Sequence, residues 1–276
     1  MKFHVEIDEP TTHITINETS FAVGKHWFWE QVSDKWEPET QKFFSTNIES
    51  GLDFLDIGGW VGFTAMIATA LGAKRVDIVE PNPMNFIRLL TTQLSNQNLM
   101  KSWCLSNSCV SACDDNQFIG PFQKIYTSSS NGQTSFDENG GVEVFSLTLN
   151  KFRENKKDYS VIKIDIEGAE QYILEDLPIF GDSRAAIWLS LHPAMLRNQG
   201  DDLEAYWEKI ARLSVDFFFS DGNNCEIDTQ TLKARVLSEE DRPSWGTEWG
   251  NLFEIGLLPK RFFKQSSSDK IFTRTD

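Results

Sequence analysis

The segment VIKIDIEGAE, Val161 to Glu170, follows an apolar run with two carboxylates, Asp165 and Glu167, two positions apart. Carboxylates this close repel unless a cation, a proton or a hydrogen-bond donor lies between them, so the pair is a candidate for chemistry. Downstream, AAIWLSLHPAML ends another apolar run at His192, one of four histidines in the chain. An imidazole delivered to the same edge offers two chemistries. It can take a proton from an acceptor near neutral pH, or it can join Asp165 and Glu167 in holding a divalent cation. Oxygen ligands suit Mg²⁺, and the imidazole suits Mn²⁺ or Zn²⁺ equally well. Glu170, and Glu167 as an alternative to its chemical role, also read as acids favoured at a helix N-terminus.

A second constellation begins at FLDIGGWVGF, Phe54 to Phe63, where an apolar run meets Asp56, Gly58, Gly59, Trp60 and Gly62, with Thr64 just beyond. The glycines let backbone approach a ligand, the free N–H groups of a helix start hold an anion, and Thr64 adds a hydroxyl. A dinucleotide fingerprint, GxGxxG, would place its second glycine under a pyrophosphate, but Trp60 stands at that position. The spacing D-x-G-x-x-x-G, Asp56 to Gly62, suits a ligand with a single carboxylate and a cationic part beside Asp56. S-adenosylmethionine has that charge distribution. Glu80 closes RVDIVEPNP 18 residues beyond Gly62, where a carboxylate accepts both hydroxyls of a ribose. Asn82 reaches back to the adenosine side, and Ser106 and Asn107 are further adenine-side candidates.

These residues need a scaffold that brings several strand ends to one edge. LDFLDI, RVDIVE, SVIKIDI, AAIWLSL and VDFFFS are short continuous apolar runs, the pattern of strands buried on both faces. Helical segments alternate with them: FTAMIATALGA ends at a glycine suited to a helix C-terminus, and NPMNFIRLLTTQLSNQN carries apolar residues at 86, 89, 90 and 94. The order predicts an α/β fold, a Rossmann-like doubly wound and mostly parallel sheet with its crevice beyond the strand ends. Ahead of it, FHVEI and HITIN alternate around DEPTT as a hairpin, and two short helices separated at Pro38 follow. The expected division is a hairpin and helical cap over residues 1–50, the sheet domain over 51–265 and a frayed tail, including KQSSSDK, over 266–276. Polar, glycine-rich stretches between 111 and 141 read as surface excursions near the crevice.

Composition narrows the function. With 26 Lys and Arg against 41 Asp and Glu, net −15 and without a basic block, a surface that tracks nucleic-acid phosphates is not expected. The opening MKFHVEIDEP lacks an apolar leader and no window approaches the ~20 apolar residues of a membrane span, so no membrane insertion and a cytoplasmic location are expected. Four cysteines, three of them at 104, 109 and 113, form no CxxC pair and read as reduced, buried thiols.

DIGGWVGFTA, VEPNPMNFIRLL, VIKIDIEGAEQYIL and LHP together resemble the FkbM family of S-adenosylmethionine-dependent methyltransferases, roughly over Trp36 to Pro193. WEPET before the first sheet strand and LTLNKF, at the place of the strand before the Asp-containing one, share in the likeness. KIDIEGAE is its specific part. Gly59-Trp60 departs from it, since the family more often has a small residue and asparagine there. The resemblance implies a class I methyltransferase fold and O-methylation of a hydroxyl, often on a sugar, glycan or natural product. Two other readings stand beside it: a nucleotide-dependent oxidoreductase, disfavoured by Trp60, and a non-catalytic adenosyl-binding protein, disfavoured by Asp165, Glu167 and His192.

Overall fold

The computed structural model describes residues 1–8, 11–32, 36–112, 116–119, 142–154, 158–238, 253–266 and 270–275. The expected turn at Glu9-Pro10, most of the 111–141 stretch with Cys113, and nearly all of the aromatic 245–253 segment lie outside them. In chain order the first elements are β1 (Phe3–Asp8), β2 (Thr11–Ile16), β3 (Thr19–Gly24), α1 (Trp27–Gln31) and α2 (Pro38–Asn47). The first βα units are β4 (Asp53–Ile57), α3 (Phe63–Ala70), β5 (Arg75–Val79), α4 (Pro83–Ser95), α5 (Gln97–Met100) and β6 (Trp103–Ser106). Then come β7 (Ser108–Val110), β8 (Asn116–Ile119), β9 (Val142–Leu147), α6 (Leu149–Glu154) and β10 (Tyr159–Ile164). After 3₁₀ turns over Ala169–Tyr172 and Leu174–Phe180 follow β11 (Ala186–Leu191), α7 (Pro193–Gln199), α8 (Leu203–Arg212), β12 (Phe217–Ser220) and α9 (Thr229–Val236). The last strands are β13 (Phe253–Pro259), β14 (Phe263–Gln265) and β15 (Phe272–Arg274).

The central sheet has seven strands in the order β12-β13-β11-β10-β4-β5-β6. β6, β5, β4, β10 and β11 are parallel, and β13 runs antiparallel to both β11 and β12. Strand order runs outward from β4 in one direction and from β10 in the other, which makes the β4–β10 junction the switch point where ligands of such sheets bind. β4, β10 and β11 are buried at every residue, as continuous apolar runs require. Their side chains alternate between faces and build two cores. Phe54, Val161 and Trp188 join the core shared with α3 and the N-terminal strands, while Leu55, Ile162 and Leu189 join the opposite one, shared with Tyr206 and Ile210 of α8.

Several elements differ from expectation. The N-terminal hairpin is a three-stranded meander, because Asn17 and Glu18 take positive φ of 45° and 69° and turn the chain into β3. Its Ile14, Ile16, Phe21 and Val23 belong to the same core as Phe54 of the sheet. Pro38 does separate two helices, sitting in the first turn of α2. α4 buries Asn85, Leu89 and Thr92, while Leu90 and Leu94 are exposed. Asn96, just past that helix, pairs both ways with the backbone of Ala22 at 2.8 and 2.6 Å, and so turns a polar flank toward the meander. LTLNKF is the end of β9 and the start of α6, and β9 pairs with β7 and β8 in a separate small sheet. Residues 270–275, expected in a frayed tail, include β15: Phe272 is buried and stacks on Phe218 at 4.3 Å, and Arg274 meets Glu49 at 2.7 Å. Cys109 is buried as expected, but Cys104 is exposed. Among the described residues no helix is long and apolar enough to cross a membrane.

Candidate active site

At the end of β4 the chain turns through Gly58, Gly59 and Trp60, with φ of +85° at Gly58 and +45° at Trp60. The amides of Gly58 and Gly59 both donate to Val79 O, at 2.9 and 3.1 Å, which binds the turn to the end of β5. The reason for glycine is found inside the protein. A Cβ on Gly58 would sit 1.8 Å from Asp165 O, and one on Gly59 2.2 Å from Ile78 Cγ2. The turn lies against the neighbouring strand ends, so packing within the protein by itself requires glycine at 58 and 59. Gly62 stands immediately before α3 with φ of +88°.

Asp56 is fully buried under this turn. Its Oδ2 accepts from Thr64 Oγ1 at 2.5 Å, and its Oδ1 lies 3.5 Å from Lys163 Nζ. Burial pushes the Asp56 carboxyl up, and Lys163 and Thr64 oppose that rise. Asp56 and Thr64 thus face each other beneath the turn. Glu80 reaches across to the turn from the end of β5. Its Oε2 accepts from Trp60 N at 2.7 Å and its Oε1 from Asn82 N at 2.8 Å. Burial pushes its pKa up to about 7 against those two amides. Asn82 caps α4 by accepting from Met84 N, and Asn107 Nδ2 donates to the carbonyls of Glu80 and Pro81. Ser106, half-buried at the end of β6, shares a hydrogen with Ser108 at 2.8 Å.

The acidic edge is one register step away. Lys163 of β10 is paired with Asp56 of β4, and Asp165 N donates to Ile57 O at 3.0 Å. Lys163 and Asp165 are two apart on a strand and share a face, so Lys163 Nζ lies 3.4 Å from Asp165 Oδ2 as well as 3.5 Å from Asp56. Burial opposes its charge, yet Asp165 and Asp56 raise its pKa above the ordinary lysine value. His192 Nε2 is 3.4 Å from Asp165 Oδ1 and 3.8 Å from Glu167 Oε2. Asp165, Glu167 and His192, separated by up to 27 positions in the chain, do meet.

Glu170 stands, as expected, in the first turn of a helix, the 3₁₀ turn Ala169–Tyr172, but its surroundings are not those of a surface acid. It is fully buried, with Oε1 accepting from His192 N at 2.9 Å and from the Tyr206 hydroxyl at 3.1 Å, and Oε2 accepting from Gly168 N at 2.8 Å. The same Oε1 faces His192 Nδ1 at 3.3 Å. Burial works against the imidazolium, but Glu170, Glu167 and Asp165 hold its pKa up at about 10. The three carboxylates thus move the ring away from the near-neutral value of an ordinary imidazole base. Burial instead raises Glu167 to about 7, opposed by His192 and reinforced by Asp165 and Glu170. Glu254 of β13 is likewise pushed up to about 7, by burial and then by Asp165. Burial, then Glu254 and Asp165, lift Glu37 well above the carboxylate range.

Lys163, Glu170, Tyr206, Glu254 and Glu37 also surround this edge; Lys163 and Glu170 lie within KIDIEGAE and Glu37 within WEPET, whereas Tyr206 and Glu254 lie outside every segment singled out above. Only Lys163 carried a signal, as a cation in an otherwise apolar strand two places before Asp165. Above the turn, Trp60 packs against Phe28 at 4.7 Å, His26 at 5.6 Å and Trp27 at 6.0 Å, so α1 and the residue before it wall the glycine loop with aromatic rings.

The family model for the methyltransferase FkbM domain matches residues 50–209, more than half of the chain. Comparison with curated proteins returned no match. Among solved structures, the chain is similar to the methyltransferase FkbM of Methylobacillus flagellatus, with TM-score 0.45 and 14% identity over 75% of this chain and 44% of that one. The precorrin-6y C5,15-methyltransferase of Geobacter metallireducens matches with TM-score 0.43 and 12% identity, covering 87% of this chain and 94% of that one. The fibrillarin pre-rRNA processing protein of Methanococcus jannaschii matches with TM-score 0.45 and 12% identity over 94% and 99%. The chain spans less than half the length of the Methylobacillus flagellatus protein. By its family match, this chain belongs to the FkbM methyltransferases.

Proposed function

We propose that this protein transfers the methyl group of S-adenosylmethionine to a hydroxyl oxygen of a small-molecule or glycan acceptor, such as a sugar or natural product. The observation that supports this reading is the close approach of the Gly58 turn to Asp165 at the switch point of the sheet, which puts the glycine turn beside the acidic edge. In this reading the turn Gly58 to Gly62 and the start of α3 receive the methionine portion, with Asp56 and Thr64 fixing the turn from below. Each oxygen of Glu80 accepts one backbone amide and keeps lone pairs for the two ribose hydroxyls. Asn82 and Ser106 line the adenosine side, and Trp60 covers the turn.

The transfer is a direct displacement. The acceptor oxygen bonds to the methyl carbon, the carbon–sulfur electron pair leaves on sulfur, and the acceptor's proton is taken up at the edge. Such a reaction asks the protein to align two groups in line and manage one proton. In this reading the edge formed by Asp165, Glu167 and His192 takes up that proton and orients the acceptor. Residues 51–265 carry the reaction in this reading, with 1–50 as its cap. Incubation with S-adenosylmethionine labelled in the methyl group and a panel of sugars, nucleotide sugars and phenols tests the assignment by product mass. Label on oxygen supports it; a melting shift with a nicotinamide cofactor and none with S-adenosylmethionine overturns it.

A further inference from the structure

The geometry points to a divalent-cation site formed by Asp165 Oδ1, a Glu167 carboxylate oxygen and His192 Nε2. The inference rests on the reading of this edge as the acceptor side. One ligand atom from each residue lies within 4.8 Å of the other two. His192 Nε2 and Asp165 Oδ1 are both sealed from solvent and lack a hydrogen-bond partner, although His192 is only 3% exposed. A buried ring nitrogen left bare costs free energy unless something fills the space it faces. Here it faces two carboxylates, at 3.4 and 3.8 Å. Ligand atoms bound ~2.1 Å from a common ion and ~110° apart lie ~3.4 Å from one another, so the His192–Asp165 separation already fits, and Glu167, within 4.8 Å of both, would draw in to complete the set.

The opposite side of each ligand is already occupied. His192 Nδ1 faces Glu170 Oε1 at 3.3 Å, and Glu170 is held by Gly168 N and the Tyr206 hydroxyl. Asp165 Oδ2 faces Lys163 at 3.4 Å, leaving Oδ1 for the ion. A histidine whose second nitrogen meets a buried carboxylate is the usual support of a metal ligand. One imidazole with carboxylates suits Mn²⁺ or Zn²⁺ better than Ca²⁺. The remaining coordination positions would take water, and the acceptor oxygen in its place.

The test uses the full chain, stripped with EDTA and dialysed. Mn²⁺ and Zn²⁺ are titrated calorimetrically, Mn²⁺ is also followed by loss of its free-ion electron paramagnetic signal, and Mg²⁺ and Ca²⁺ serve as comparisons. Stoichiometric binding of Mn²⁺ or Zn²⁺ is expected, lost in Glu167→Gln and in His192→Ala. Glu170→Gln, which alters a positioning residue, should weaken binding ~10–100-fold. Circular dichroism in EDTA should match wild type for Glu167→Gln, so that lost binding is not lost folding. Substoichiometric uptake by the wild type, or equal affinity in wild type and Glu167→Gln, overturns the site. S-adenosylmethionine affinity is measured separately in EDTA: its absence sinks the donor reading and leaves the cation result standing.

Discussion

Glu80 does two jobs with one carboxylate, since it ties Trp60 N to Asn82 N and is the group assigned to the ribose. Glu80→Ala removes a charged acceptor from two buried amides, and a charge-assisted bond is worth ~1.5–3 kcal/mol. S-adenosylmethionine binding should weaken by a similar amount in titration calorimetry, and unchanged affinity would remove the ribose role. Gly58 behaves otherwise. Its φ of +85° and the Asp165 carbonyl 1.8 Å from a would-be Cβ make Gly58→Val a folding defect ahead of a binding defect. We expect a loss of at least ~2 kcal/mol in urea denaturation, since left-handed strain and a backbone clash act together. A variant of wild-type stability that has lost only its ligand would contradict this. At this scale the sequence announced the groups that sit at strand ends: Asp56, Glu80, Asp165 and His192 are each visible where an apolar run stops. Glu170 was hidden because an acid in GAE looks like a helix start; what buries it is His192 and Tyr206, 22 and 36 residues away. Glu254 and Glu37 were hidden for the same reason, being brought in by β13 and the turn before α2.

Among the elements, those defined by periodicity were legible and those defined by partners were not. β4, β5, β10 and β11 could be read within a residue or two because burial on both faces forces continuous apolar runs. β3 was missed because its turn uses Asn17 and Glu18 with positive φ and no glycine, so the usual hairpin signal is lacking. α4 stands where its apolar spacing put it, but of Phe86, Leu89, Leu90 and Leu94 only Leu89 is buried, and Asn96 ties the end of the helix to Ala22 of β3. β15 carries a sharp expectation. Phe272 is 2% exposed, stacked on Phe218 and packed in the core that holds Phe54, so Phe272→Ala should cost ~3–5 kcal/mol in chemical denaturation. A cost below ~1 kcal/mol would return this segment to the role of a loose tail.

Taken whole, the molecule gathers its buried acids at one edge, and that makes stability depend on pH in a definite direction. Glu80, Glu167 and Glu254 rise from an ordinary 4.5 to about 7, and His192 rises from 6.5 to about 10. In each case the folded chain binds protons more tightly than the unfolded chain. Their contribution is fully present below the unfolded values and is lost as pH rises through the folded ones. Without ligand or cation, Tm should fall between about pH 5 and pH 8. Glu80→Gln should flatten the fall, because Glu80 alone accounts for a change on the order of 3 kcal/mol. A Tm that is level or rises over that range would refute the assignment. The antiparallel β13 has a consequence of another kind. It is inserted between β11 and β12, which do not pair with each other, and it is the later of the three to be synthesised. While a nascent chain is still shorter than residue 253, β11 presents an open row of backbone donors and acceptors beside a buried apolar strand, the template on which chains stick together. The sheet can close only after synthesis has passed Pro259, so ribosome-bound intermediates of this protein should depend on chaperones that shield a strand edge, and truncation before Phe253 should yield inclusion bodies in place of a smaller folded unit.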